Sequence, residues 1–117
     1  MARYEQLKAW QHCHELALSV YGATDRWPRH ELFGLTSQAR RAAHSAAANI
    51  AEGFAKRGPR EFRRYLDISL GSLAELSYTL RLARDLSLLT PEKWTELNEL
   101  HENARGLVWL LYRSLHC

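Results

Sequence analysis

Cysteine, proline, glycine and long apolar runs are all scarce in this chain, and each scarcity removes a class of protein. The two cysteines, Cys13 and Cys117, stand far apart with no CxxC pair, which excludes a disulfide framework and points to reduced thiols. No apolar stretch approaches membrane-spanning length, and Met1-Ala2-Arg3-Tyr4-Glu5 passes straight into charged, periodic sequence, so no membrane partner and a cytoplasmic setting are expected. Strand-like alternation, long-period repeats, low-complexity segments and a glycine-rich loop joining strand to helix are missing too. This argues against sheet folds, solenoids and phosphate-cradle enzymes.

What is present is helix. With 117 residues, 46% hydrophobic and 25% charged, the chain is long enough to bury one core and too short for two domains, so residues 1–117 are read as a single domain. The three prolines and six glycines fall mostly where helices should start or stop. A first helix is expected from about Tyr4 to about Asp25, with Ala9, Cys13, Leu16 and Val20 on one seam and Leu7, Trp10, Ala17 and Tyr21 on another. Trp27-Pro28-Arg29-His30 breaks it.

The second helix should run from near Thr36 to about Lys56 and turn Leu35, Ala39, Ala42, Ala46, Ile50 and Phe54 inward. Its six alanines between positions 42 and 51 leave it thin, so a neighbouring helix can approach closely. Gly58-Pro59-Arg60-Glu61 opens a third helix, reaching about Leu88 with Phe62, Leu66, Ser69, Leu73, Leu76, Leu80 and Ala83 as its seam. Thr90-Pro91-Glu92 opens a fourth, with Leu97, Leu100, Ala104, Leu107, Leu111 and Ser114 or Leu115 inward. Short connections between long amphipathic helices predict an all-α, up-down-up-down antiparallel four-helix bundle.

Gln38, Arg41, Ser45, Asn49 and Glu52 recur at steps of three and four and share one face of the second helix. In an antiparallel hairpin turning near Gly58, Arg41 comes level with Glu75, Ser45 with Ser72, Asn49 with Ile68 and Ser69, and Glu52 with Arg64. Buried polar groups need partners. Gln38, Arg41, Ser45, Asn49, Glu52, Ser72 and Glu75 are therefore read as an interhelical network that fixes register, with a binding role as the alternative.

Charge is unevenly placed. Lys56, Arg57, Arg60, Arg63 and Arg64 against Glu61 give segment 56–64 a net +4, while Glu92, Glu96, Glu99 and Glu102 against Lys93 give segment 92–102 a net −3. The basic cluster is either a solvated face or a polyanion site in which guanidinium groups reach phosphates. Arg26 and Arg29 should lie at the opposite end of the bundle. Near the cluster only Phe62 and Tyr65 offer aromatic rings, and a core role suits both.

No catalytic, metal or cofactor site emerges. His12 and His14 diverge on a helix, His30, His44, His101 and His116 have no complementary ligands at metal spacing, and Ser45 and Ser72 lack a histidine at the right height.

The ordered set Glu31-Leu32-Phe33-Gly34-Leu35-Thr36-Ser37-Gln38, Arg40-Arg41-Ala42, Ser45, Asn49-Ile50-Ala51-Glu52-Gly53 and Gly71-Ser72-Leu73-Ala74-Glu75-Leu76 resembles the family called four helix bundle proteins. That family includes the proteins encoded by intervening sequences of bacterial 23S ribosomal RNA genes, and the accessory variability determinant of diversity-generating retroelements looks like a relative. Here Ser45-Ala46-Ala47-Ala48 stands where the family often has a Ser-Ile-Pro-like run, and Gly58-Pro59 where it often has a serine cap. The resemblance implies a homo-oligomeric ring, often a pentamer, with a basic surface that in retroelement relatives engages nucleic acid, RNA or DNA, and a reverse transcriptase. It thus joins the residue reading in two expectations: a non-enzymatic nucleic-acid-binding accessory protein using the 56–64 cluster, or a structural or adaptor oligomer for a protein partner. Trp10, Trp94 and Trp109 are candidates for the self-association face.

Overall fold

The breakers act where they stand. In a computed structural model describing residues 3–116, four helices form: α1 Lys8–Thr24, α2 Leu35–Phe54, α3 Gly58–Asp85 and α4 Pro91–Ser114, with short 3₁₀ turns at Arg3–Gln6 and Arg29–Glu31. No strand occurs among the described residues, and no helix is long and apolar enough to cross a membrane. Met1, Ala2 and the thiol of Cys117 lie outside them.

Each boundary has a local cause. Thr90 caps α4, its hydroxyl accepting from the Lys93 N–H at 3.1 Å, with Pro91 in the first turn, where a missing N–H costs nothing. At the start of α2 the Glu31 carboxylate accepts from the Leu35 N–H at 3.1 Å, and a Cβ on Gly34 would stand 2.6 Å from that same oxygen. Glycine leaves room for the cap. Gly58 takes φ +83°, a left-handed turn open to glycine, just before Pro59.

Two boundaries differ from expectation. The first helix begins at Lys8, not near Tyr4, because Leu7 is extended and Arg3–Gln6 forms its own turn. The third ends at Asp85 instead of near Leu88. There Ser87 is left-handed at φ 63°, the Leu88 N–H reaches the Ala83 carbonyl at 2.9 Å, and the Ser87 N–H reaches that of Arg84 at 3.0 Å. This is a Schellman stop, with serine in the place glycine usually takes.

At about 1.5 Å per residue, the 28 residues of α3 extend about 42 Å, which matches the 43 Å long axis. Helix α1 packs on α2 and α4, and α3 packs on the same two. The α2–α3 contacts pair rising numbers on one helix with falling numbers on the other: Ser45 meets Ser72, Ala46 meets Ser69, and Gly53 meets Phe62 and Tyr65. The two helices are antiparallel. They also lie close, since a Cβ built on Gly53 would stand 2.5 Å from the Tyr65 Cβ.

Ala9, Cys13, Leu16 and Val20 of α1 meet Ala39, Ala42, Ala46 and Ile50 of α2 and Leu66, Leu73, Leu76 and Leu80 of α3 in one core. Burial pushes the Cys13 thiol up to about 12, so it stays protonated and behaves as a small apolar group. In α4 the innermost line is Leu97, His101, Ala104 and Val108: Leu97 and Ala104 are as expected, while His101 and Val108 replace Leu100 and Leu107, which pack with Leu111 at its edges. His101 is tolerated there, 3% exposed, because its Nε2 lies 2.6 Å from the Leu73 carbonyl oxygen of α3.

Candidate nucleic-acid interface

The polar stripe on α2 divides in two. Its middle is a hydrogen-bonded seam: Ser45 and Ser72 hydroxyls meet at 2.7 Å, and Asn49 Nδ2 donates to the Ser45 hydroxyl at 3.0 Å and carbonyl at 2.9 Å. Ser69 extends it by donating to the Ala46 carbonyl at 2.7 Å. Gln38, Arg41, Glu52 and Glu75 stand outside it.

The expected Arg41–Glu75 ion pair does not form. Both residues are exposed on the rim of an open cleft of about 490 Å³ that also includes Arg40 and Ser45. At the hairpin edge water solvates each charge, so nothing forces them together. Nor does Glu52 meet Arg64, which instead approaches Glu61 at 3.4 Å; Glu52 lies on the α1–α2 side. Arg40, the neighbour of Arg41, instead ties α2 to the end of α1. Its guanidinium reaches Asp25 at 2.8 Å and the Thr24 hydroxyl at 2.8 Å, and lies 4.8 Å from the Tyr21 ring centroid. A cation there also suits the C-terminal end of α1. The pattern Thr24-Asp25 at a helix end was the one signal for it.

The basic cluster occupies the α2–α3 elbow and the first turns of α3. Lys56, Arg57, Arg60 and Arg64 are exposed, and Arg63 is half-buried. Lys56 lies 5.6 Å and Arg64 4.7 Å from the Tyr65 ring centroid, which therefore carries cations on its surface instead of serving only the core. The hydrogen bond from Arg64 to Glu61 raises its pKa further above the ordinary arginine value. Phe62 packs edge-on against Phe54 at 5.6 Å.

The long axis of the fold adds a ring that the sequence did not place here. The end of α4 runs beside the start of α3, so Arg63 stands 4.2 Å over Tyr112, and Tyr112 lines a cleft of about 310 Å³ with Arg60, Glu61, Arg63, Arg64 and Asp67. Trp109 stacks on Tyr112 at 5.6 Å. Arg26, by contrast, lines a cleft with Leu88, Thr90 and Lys93 at the α3–α4 turn, away from the elbow.

A groove of about 770 Å³ lies between α1 and α2 and is mostly apolar, with Tyr4, Trp10, Ala17, Leu18, Ala48 and Ala51 among its walls. Of the three tryptophans singled out in the sequence, Trp10 packs against Tyr4 and His14, Trp94 lies under Arg84 at 4.4 Å, and Trp109 is 43% exposed. Among the described residues no group of three His, Cys, Asp or Glu side chains is arranged to hold a metal ion.

Residues 5–109 match the family model described as 23S rRNA-intervening sequence protein. The chain belongs to that family. A crystal structure of a protein of unknown function from the S23 ribosomal protein family of Bacteroides thetaiotaomicron superposes with a TM-score of 0.82 at 21% identity, covering 90% of this chain and 95% of that one. At that identity the likeness concerns the fold. No curated protein matches. The span shared with the 23S rRNA-intervening sequence protein family takes in the Arg40 tie, the serine seam and the whole basic elbow, and ends at Trp109.

Proposed function

We propose that this protein is a non-enzymatic, cytoplasmic accessory factor that forms a homo-oligomeric ring, a pentamer in the simplest case, and binds RNA or DNA through phosphate contacts at the α2–α3 elbow. The observation that carries this reading is the exposure of Lys56, Arg57 and Arg60 with no carboxylate within ion-pair distance among the described residues, beside Arg63 and Arg64. Five cations at one elbow, repeated around a ring, convert a weak contact into a multivalent one. An up-down-up-down topology is part of the reading, supported by contacts of Arg40 with Tyr21 and Thr24, Ser45 with Ser72, and Leu73 with His101. Such a topology sets all five cations at one end of each protomer.

The apolar α1–α2 groove supports self-association, and equally a second reading: an adaptor oligomer whose partner is a protein such as a reverse transcriptase, which the resemblance to the retroelement accessory proteins suggests. Salt separates the two. For three to five phosphate contacts per protomer, affinity for a short single strand should fall about 20- to 100-fold between roughly 50 and 200 mM monovalent salt. Binding assayed by fluorescence anisotropy across that range that stays flat would favour the protein-partner reading and remove phosphate recognition.

A further inference from the structure

The row Arg63, Tyr112, Trp109 crosses from α3 to α4 beside the basic elbow, with separations of 4.2 and 5.6 Å, and ends in an indole that is 43% exposed. Single exposed aromatics are ordinary on protein surfaces. This one is unusual in its neighbours: the ring on which it stacks forms a wall of the cleft that holds Arg60, Arg63 and Arg64. A purely apolar partner covering Trp109 would strip water from those guanidinium groups without replacing it, which is costly. A nucleic-acid strand supplies phosphates for the arginines and a π-face for the indole together. A duplex supplies only the first, because its bases are stacked on each other.

The acidic residues in the cleft agree. Glu61 and Asp67 lie among the arginines and can accept from the N–H edge of a base, which a bare phosphate chain does not offer. Phosphates belong along the elbow, at Lys56, Arg57, Arg60, Arg63 and Arg64, and a base belongs beside Trp109.

Resting on the nucleic-acid reading above, we propose that Trp109 is a base-stacking platform and that the elbow takes single-stranded nucleic acid, with at least one unstacked base, in preference to duplex.

The test compares three ligands of about 15 nucleotides: an oligothymidine strand, an abasic strand of the same charge, and a duplex. The native chain should bind oligothymidine about tenfold tighter than the abasic strand. W109L should erase that difference while leaving abasic-strand and duplex binding unchanged, and W109F, which keeps a π-face, should restore most of it. Circular dichroism of both variants guards against misfolding, and W109F keeps the comparison informative if W109L is unstable. A native preference for bases that survives in W109L overturns the assignment, as does a W109L protein that changes its sedimentation coefficient but not its ligand preference, since Trp109 would then belong to a contact between copies. Salt-sensitive binding that ignores bases overturns the stacking proposal alone, whereas failure of all three ligands to bind overturns the nucleic-acid reading beneath it.

Discussion

Exchanging Arg60, Arg63 and Arg64 together for glutamate is expected to weaken nucleic-acid binding by roughly a thousandfold at moderate salt. Hydrogen bonds to charged groups contribute on the order of 1.5 kcal/mol each, so three lost contacts approach about 4.5 kcal/mol, and the introduced carboxylates repel phosphate besides. The loss should be similar across sequences, because phosphates carry none. Stability should change far less. Arg60 and Arg64 are exposed, and the ion pair of Arg64 with Glu61 is a surface contact three residues apart, a type that contributes little. Arg63 is the exception, since it covers Tyr112, so a double Arg60→Glu, Arg64→Glu protein provides the control. It should retain the native melting temperature and still lose a large part of the affinity. Unchanged retention by the triple variant in an electrophoretic shift assay would mean that the elbow is only a solvated face.

Gly53→Val should destabilise the fold itself, costing about 1–3 kcal/mol. Two effects compete. Replacing glycine in a helix gains up to about 1 kcal/mol of propensity for alanine and less for β-branched valine. Against that, the new Cβ would be 2.5 Å from the Tyr65 Cβ and 3.1 Å from Phe62 Cδ1. A Cβ is fixed by its backbone, so α2 and α3 must move apart, and rotating a flexible side chain cannot relieve the clash. Separation near the elbow would strain the Ser45–Ser72 and Ser69–Ala46 hydrogen bonds farther along the same seam and thin the core between them. Urea denaturation should show a lower midpoint with an unchanged slope. A variant as stable as the native chain would show that the hairpin is looser than these distances require.

The hairpin was readable from sequence because two long helices joined by a short turn leave almost no freedom of register. Ser45 and Ser72 could be brought level from their numbers alone, and they are hydrogen-bonded. Thr90-Pro91 likewise carries its cap chemistry in adjacent residues. Periodicity is less sharp about angle. Neighbouring residues on a helix differ by about 100°, which is why the sequence favoured Arg41 over Arg40 and Leu100 over His101. In both cases the residue one step away makes the interhelical contact, since Arg40 points to Thr24 and Asp25 and His101 to the Leu73 carbonyl. The expected Arg41–Glu75 pair failed for a different reason: level residues at the edge of a hairpin meet water before they meet each other.

The aromatic side of the elbow was invisible in the sequence for a third reason. Tyr112 and Trp109 reach Arg63 only because α4 returns alongside α3. No local pattern near position 60 announces a ring that arrives from the other end of the chain. The result is a cluster whose charge belongs to one helix hairpin and whose stacking surface belongs to another helix.

The most direct measurement is ultraviolet cross-linking of the native protein to a photoreactive single strand, followed by peptide mapping. Cross-links concentrated in the peptides spanning residues 56–65 and 105–113, and lost as salt is raised, are the expected result. Cross-links confined to the α1–α2 groove or to the acidic stretch 92–102 would contradict the assignment of the elbow as the nucleic-acid interface.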